Sequence, residues 1–267
     1  MIEISIEGIK VGDRRFNVFA DHLYAEYLGS EFEPDTCKLI SCFGGGKSCL
    51  DVGANIGMTT LLMSDLFDEV FSFEPAPSTF KILQKNIERN KLENITTFNV
   101  GLGSKAMISE IQFSEGNRSG GFINDNTKAS VGHVTEQVKI GKGDDLLFGT
   151  ACNPAFIKID VEGYELNALH GLECTIKENE PVVMLEANHW CLNAFQRTSM
   201  PDFVDELLKV FPCVYATNNG TYLDLNDYSD RYVFFYSNIL RNEFVDIVGG
   251  FHSTQFSKFM STFSKLL

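Results

Sequence analysis

The sequence predicts an α/β domain built on a mostly parallel sheet with helices on both faces. Two observations carry this. Short apolar runs recur at 48–52 (SCLDV), 69–73 (EVFSF), 95–100 (ITTFNV), 155–159 (AFIKI) and 182–186 (VVMLE), and most intervals between them carry apolar residues at helical spacing. Runs this short read as buried strands. Strands alternating with helices make crossover units around a parallel sheet. At 267 residues and 44% hydrophobic content, the chain suits one such domain with additions.

The elements follow in order. Ile2, Ile4 and Ile6, then Phe16, Val18 and Ala20, fall on one face at a period of two, which predicts an N-terminal β-hairpin. Residues 21–45 mix aromatic and acidic positions around Gly29 and Pro34, predicting two short helices that lead to Gly44-Gly45-Gly46. Helical spacing appears in 78–90 (Phe80, Ile82, Leu83, Ile87) and in 164–176 (Leu166, Leu169, Leu172). Between 101 and 154 the rhythm breaks. Met107, Ile108, Ile111 and Phe113, then Val134, Val138 and Ile140, read as a β-ribbon flanking a polar loop, 114–133. Its Ser119-Gly120-Gly121 serves as a lid over an acceptor or as a plain connection. After residue 200 come a helix (203–210), a strand (213–217) and an apolar strand (231–236, RYVFFY). In the tail, Phe256, Phe259, Met260, Phe263 and Leu267 form one helical face, read first as core packing, then as a homodimer contact, and last as a membrane face. The expected division is 1–45 as hairpin and helical extension, 46–240 as the main domain with an insertion at 101–154, and 241–267 as a helical tail.

Composition narrows the function. Thirty-six acidic against 22 basic residues, a net charge of -14, disfavour a nucleic-acid partner. Seven cysteines (Cys37, Cys42, Cys49, Cys152, Cys174, Cys191, Cys213), odd in number and without a C-x-x-C pair, point to a reducing compartment and no structural zinc. The charged start MIEISIEGIKVGDRRF has neither a signal-peptide core nor a membrane span, so a cytoplasmic location is expected.

The chemistry concentrates where strands end. Asp51-Val52-Gly53-Ala54-Asn55-Ile56-Gly57 follows an apolar strand and precedes a helix-compatible run, a cradle for a nucleotide-like ligand. A dinucleotide fingerprint from Gly53 needs glycines at 55 and 58, where Asn55 and Met58 stand. The one Gly-Lys-Ser, 46–48, precedes the strand and lacks the upstream glycine of a phosphate loop. An acid-x-Gly-x-x-x-Gly loop instead suits S-adenosylmethionine, and Glu74, at the end of the next strand, is placed to accept both ribose hydroxyls. In Phe156-Ile157-Lys158-Ile159-Asp160-Val161-Glu162-Gly163-Tyr164-Glu165, Asp160 and Glu162 project to the same side of an extended chain. They face a ligand cleft or favour the helix start that follows.

Together these segments resemble the FkbM family of S-adenosylmethionine-dependent methyltransferases. The residues that carry the resemblance are Leu50 through Gly57, Phe73-Glu74-Pro75, Asn99-Val100-Gly101-Leu102-Gly103, Asp144-Asp145-Leu146 and Phe156 through Glu165. The flanks match nothing assignable, and Lys142-Gly143-Asp144-Asp145 departs from the family's Thr-Leu-Asp-Asp type segment. The resemblance implies a Rossmann-like class I methyltransferase fold with a seven-stranded, mostly parallel sheet. It also implies O-methylation of a sugar, glycan or polyketide-like acceptor. Asp51, Gly53, Ala54, Asn55 and Gly57 would hold the methionine end, Glu74 and Pro75 the ribose, Gly101 and Leu102 the adenine, with Asp160 at the cofactor as well.

Methyl transfer from a sulfonium is an in-line displacement, so the acceptor oxygen must be positioned and deprotonated. Candidates at the sheet's carboxyl edge are Asp160, Glu186 and His189. His189 is the conventional base. Alternatively Asp160, Glu186 and Asn188 would bind Mg²⁺ and acidify the hydroxyl. His22, His133, His170 and His252 stand alone and are expected to be structural. The rivals are an NAD-dependent oxidoreductase and a non-catalytic scaffold that keeps the cofactor fold.

Overall fold

The structure is a computed structural model that describes residues 3–115, 117–124 and 131–266. Strands β1 (Glu3–Val11) and β2 (Arg14–Asp21) form the expected hairpin, followed by α1 (His22–Leu28), the two-residue β3 (Glu31–Phe32) and α2 (Pro34–Ser41). A register shift between Ile6 and Ile9 changes which side of β1 is buried. Ile9 and Val11 reach the core, Ile4 and Ile6 only half-bury, and Ile2 lies outside the described residues.

The first crossover units are β4 (Ser48–Val52), α3 (Met58–Leu66), β5 (Glu69–Phe73), α4 (Pro77–Arg89) and β6 (Ile95–Phe98). The insertion is a separate four-stranded sheet of order β7-β10-β8-β9, from β7 (Gly101–Gly103), β8 (Met107–Ser114), β9 (Asn117–Ile123) and β10 (His133–Lys142). The expected 114–133 loop therefore contains a strand, and residues 116 and 125–130 lie outside the described residues. Then follow α5 (Gly143–Leu147), β11 (Pro154–Ile159), α6 (Glu165–Gly171), α7 (Glu173–Asn179), β12 (Val182–Glu186), α8 (His189–Gln196) and α9 (Met200–Val210). Asp144, just after the Lys142-Gly143 departure from the family pattern, accepts the backbone N–H groups of Cys174 and Thr175 and so caps α7.

The end of the chain departs most from expectation. After β13 (Cys213–Asn218) and β14 (Thr221–Asp224), the segment expected as a strand at 231–236 lies inside α10 (Tyr228–Arg241). Asp227 accepts the N–H groups of Ser229 and Asp230 at its start. Phe234, Ser237 and Asn238 bury at helical spacing while Tyr228 and Tyr232 face solvent. Sheet and tail are completed by β15 (Asp246–Gly250), α11 (Ser257–Thr262) and the two-residue β16 (Ser264–Lys265), so residues 241–267 are not a purely helical tail. Phe256, Phe259 and Phe263 bury in the chain's own core, which leaves them no part in a homodimer contact; Leu267 lies outside the described residues.

The main sheet has nine strands rather than seven, in the order β16-β14-β13-β15-β12-β11-β4-β5-β6. β12, β11, β4, β5 and β6 run parallel, and β15 is antiparallel to both β12 and β13. The fully buried strands send alternate residues to two cores, as a sheet covered on both faces must. Cys49, Phe156, Met184 and Val248 join α2, α3 and the N-terminal hairpin. Leu50, Ile157, Leu185 and Ile247 join α6, α7 and α9. The chain leaves β4 toward β5 and β6 and later returns to β11 and β12 on the other side. A crevice opens at that switch point, outside the carboxyl ends of the strands.

Among the described residues, no helix is long and apolar enough to cross a membrane.

Candidate active site

A cavity of about 500 Å³ occupies that crevice, within the range of small-molecule sites. One wall is the turn after β4. Gly53 and Ala54 both donate N–H bonds to the Phe73 carbonyl at 3.0 Å, and Gly57 N–H closes the turn on Ala54 O at 2.8 Å. Gly53 has φ +83°, and a Cβ there would lie 1.8 Å from the Asp160 carbonyl oxygen. Only glycine permits this approach of β4's end to β11's end. Asn55 also takes a left-handed conformation, φ 51°, and its Oδ1 is buried without a hydrogen-bond partner.

Asp51 does not line the cavity. Its Oδ2 accepts from Thr59 Oγ1 at 2.9 Å and Thr60 Oγ1 at 2.6 Å in the first turn of α3, and its Oδ1 lies 3.8 Å from Lys158 Nζ. The acid of the loop motif thus anchors the loop to its helix. Gly57 is likewise outside the lining, at the start of α3.

Glu74 does line it. Its Oε2 accepts the Asn55 N–H at 3.0 Å and its Oε1 the Ala76 N–H at 2.8 Å. Burial pushes its pKa up to about 7 against these two bonds. One amide on each oxygen leaves further lone pairs for a ligand's hydroxyls. Pro75, Gly101 and Leu102 continue the wall. Sequence reasoning missed its roof, where Ile111, Phe113 and Ile140 of the insertion sheet cover the crevice.

The opposite wall is acidic. Asp160, Glu162 and Glu186 each place a carboxylate oxygen within 4.8 Å of the others. Lys158 Nζ lies 3.0 Å from Asp160 Oδ2. Burial works against the Lys158 ammonium, but Asp160 and Asp51 overcome it and hold its pKa above the ordinary lysine value. Burial and then the neighbouring acids, Asp160 first, push Glu186 well above the usual carboxylate range, and its Oε2 is buried without a partner. Glu162, in a left-handed turn, accepts from Cys191 Sγ at 3.1 Å.

His189 is not brought to the cavity. It opens α8, with Nδ1 buried and unpartnered. Asn188 does not line the cavity with Asp160 and Glu186; its Oδ1 accepts the Cys191 N–H as the cap of α8. The expected Mg²⁺ set is therefore not assembled; Glu162 stands where Asn188 was expected. Tyr24, Tyr27, Glu33 and Thr36 from the N-terminal segment, and Asp246 from β15, also line the site. No local motif marks any of them.

The FkbM methyltransferase domain model matches residues 51–220, the segment that carries the loop, Glu74 and the acidic wall. The chain belongs to the FkbM methyltransferase family. It is 29% identical over 192 residues to Methyltransferase 1 of Beauveria bassiana, covering 63% of this chain and 76% of that protein. It is 36% identical over 124 residues to the hexuronic acid methyltransferase AglP of Haloferax volcanii, covering 46% of this chain and 48% of that relative. Among solved structures it is similar to an FkbM methyltransferase from Methylobacillus flagellatus, at 23% identity and a TM-score of 0.45, covering 62% of this chain and 38% of that one. This FkbM chain is a methyltransferase, and its family implies S-adenosylmethionine as methyl donor. The site fits that donor: a backbone cradle that a Cβ would fill, an orphaned Asn55 Oδ1, and a buried carboxylate with free lone pairs.

Proposed function

We propose that this FkbM methyltransferase transfers a methyl group from S-adenosylmethionine to a hydroxyl of a sugar, glycan or polyketide-like small molecule. The observation that carries the reading is one cavity lined at one end by Gly53, Asn55 and Glu74 and at the other by Asp160 and Glu186. Gly53, Ala54 and Asn55 hold the methionine end, Glu74 the ribose hydroxyls, and Gly101 with Leu102 the adenine. Bound there, S-adenosylmethionine supplies an electrophilic methyl carbon.

The rest of the chemistry falls to the protein. Glu186 takes the acceptor proton: it lines the cavity with a buried oxygen that has no hydrogen-bond partner. Lys158 keeps Asp160 paired beside it. The insertion sheet excludes water above the reacting atoms. Residues 46–240 act as the methyltransferase domain, with 1–45 and 241–267 shaping the acceptor end. The Haloferax relative is named for a hexuronic acid, and this reading takes from it only the sugar ring.

A second reading is favoured by the grouping of Asp160, Glu162 and Glu186. These three would hold a Mg²⁺ ion that acidifies the hydroxyl.

The test is calorimetric titration with S-adenosylmethionine and, separately, NAD, followed by transfer of labelled methyl to a panel of hydroxylated acceptors with and without chelator. Tight S-adenosylmethionine binding with chelator-insensitive transfer supports the first reading, and chelator-sensitive transfer supports the second. Preference for NAD overturns both. Binding without transfer to any acceptor leaves a scaffold.

A further inference from the structure

The carboxyl edge of the sheet carries more acidic groups than methyl transfer uses. The Ile159–Leu185 pair sets the β11–β12 register, and Glu186 pairs directly with Asp246 across β12 and β15. Asp160, Glu186 and Asp246 therefore stand in one row, projecting from the same face of the sheet. Above them Glu33, at the start of α2, holds the strained conformation φ 28°, ψ 73° and lines the same cavity. Thr36 Oγ1 reaches Asp246 Oδ2 at 3.5 Å.

Among the described residues, six carboxyl groups line the cavity, Glu33, Glu74, Asp160, Glu162, Glu186 and Asp246, against the two cations Arg118 and Lys158. Both cations are already engaged. Lys158 bonds Asp160, and Arg118 lies 3.3 Å from Asp21 and donates to Ser78. Among the described residues, the lining thus offers no unengaged cation to an anionic acceptor. It does offer a buried, unpartnered carboxylate oxygen on Glu186, and burying such an atom without a donor costs free energy that a ligand's N–H or O–H would recover.

The cofactor does not account for this excess. β15 is separated from β4 by β12 and β11. At about 4.8 Å per strand, Asp246 stands roughly 14 Å along the sheet from the glycine turn. Glu33 and Asp246 therefore face the acceptor side. Tyr27, 79% exposed, also lines the cavity, an aromatic face suited to a cation or to the C–H face of a sugar.

Resting on the proposed methyltransferase reading, we infer that the acceptor is an amino alcohol, such as an amino sugar, whose protonated amine is held by Glu33 and Asp246 while its neighbouring hydroxyl meets Glu186. An acceptor bearing a carboxylate is rejected, because it would bring a sixth acidic group to the five at that end with no free cation among the described residues to meet it.

The test measures binding of three matched probes, glucosamine, glucose and glucuronate, to the protein saturated with S-adenosylhomocysteine. The expected order is glucosamine about tenfold or more tighter than glucose, with glucuronate weakest. In the E33Q/D246N variant the gap between glucosamine and glucose closes while S-adenosylhomocysteine still binds, which shows that the variant is folded. Glucuronate binding as well as glucosamine, no difference between glucosamine and glucose, or no binding of any probe overturns the inference and leaves the cofactor reading standing. Failure of the wild-type protein to bind S-adenosylhomocysteine overturns the cofactor reading itself.

Discussion

Glu186 and Asp246 stand directly opposite each other on neighbouring antiparallel strands. Like charges in that position destabilise a sheet. Burial pushes Asp246 up to about 7, with Glu33 and Asp160 adding to the effect. A fold that brings two acids together at the end of a buried strand concentrates there the capacity to take a proton and to bind a cation, which is what proton removal from an alcohol and recognition of an amine require.

The ribose contact is tested by Glu74→Ala. Loss of hydrogen bonds to a charged group is worth about 1.5–3 kcal/mol, so S-adenosylmethionine affinity measured by calorimetry should fall at least about tenfold. Glu74→Gln should lose less, because it keeps an acceptor oxygen.

Gly53→Ala would place a methyl group 1.8 Å from the Asp160 carbonyl oxygen at a φ of +83°. The backbone must then move at the junction of the two strand ends. A loss of about 1–3 kcal/mol in stability is expected, read by chemical denaturation, together with loss of S-adenosylmethionine binding. Unchanged binding would mean that the turn is not the cradle.

The proton-transfer assignment separates Glu186 from His189. Glu186→Gln should lower kcat by about 100-fold or more with a smaller effect on the KM for S-adenosylmethionine. His189→Ala should retain most of the activity, since His189 lies outside the cavity lining. The reverse pattern would return the role of base to the histidine.

Stability should depend on pH through the buried acids. Glu165 Oε1 accepts the N–H groups of Val161 and Gly163, its Oε2 has no partner, and burial pushes its pKa up to about 8; Glu74 sits near 7. Both lie above the ordinary glutamate value of 4.5. In this window the folded state binds more protons than the unfolded chain. The contribution is full below about 4.5 and is lost as pH rises through about 7 to 8. The thermal midpoint of the ligand-free protein should fall between about pH 5 and pH 8, and Glu165→Gln should flatten that fall.

Much of the fold was legible because its signals are local. The runs at 48–52, 69–73 and 182–186 coincide with β4, β5 and β12, since strands buried on both faces need continuous apolar sequence. Two errors share one cause, tertiary context overriding local appearance. RYVFFY has strand-like composition, yet Asp227 starts a helix there and Phe234 finds a core. Asp246–Gly250 falls in the expected helical tail, yet it is a central strand: a Cβ at Gly249 would lie 2.5 Å from Phe211, and one at Gly250 2.8 Å from Phe256. Those glycines are where aromatic rings pack onto the sheet.

The sequence by itself determined the alternation of strands and helices, the glycine turn after the first parallel strand, the acid at the end of the next, and the family. These depend on neighbours along the chain, whose spacing is set by backbone geometry alone. Only the tertiary structure decided that Asp51 secures its helix instead of facing the cavity, that His189 lies outside it, and that Glu33 and Asp246 join Asp160 and Glu186 at one edge. Strand order and register place residue 246 beside residue 186, and residues so far apart in sequence become electrostatic partners only when the sheet between them has formed.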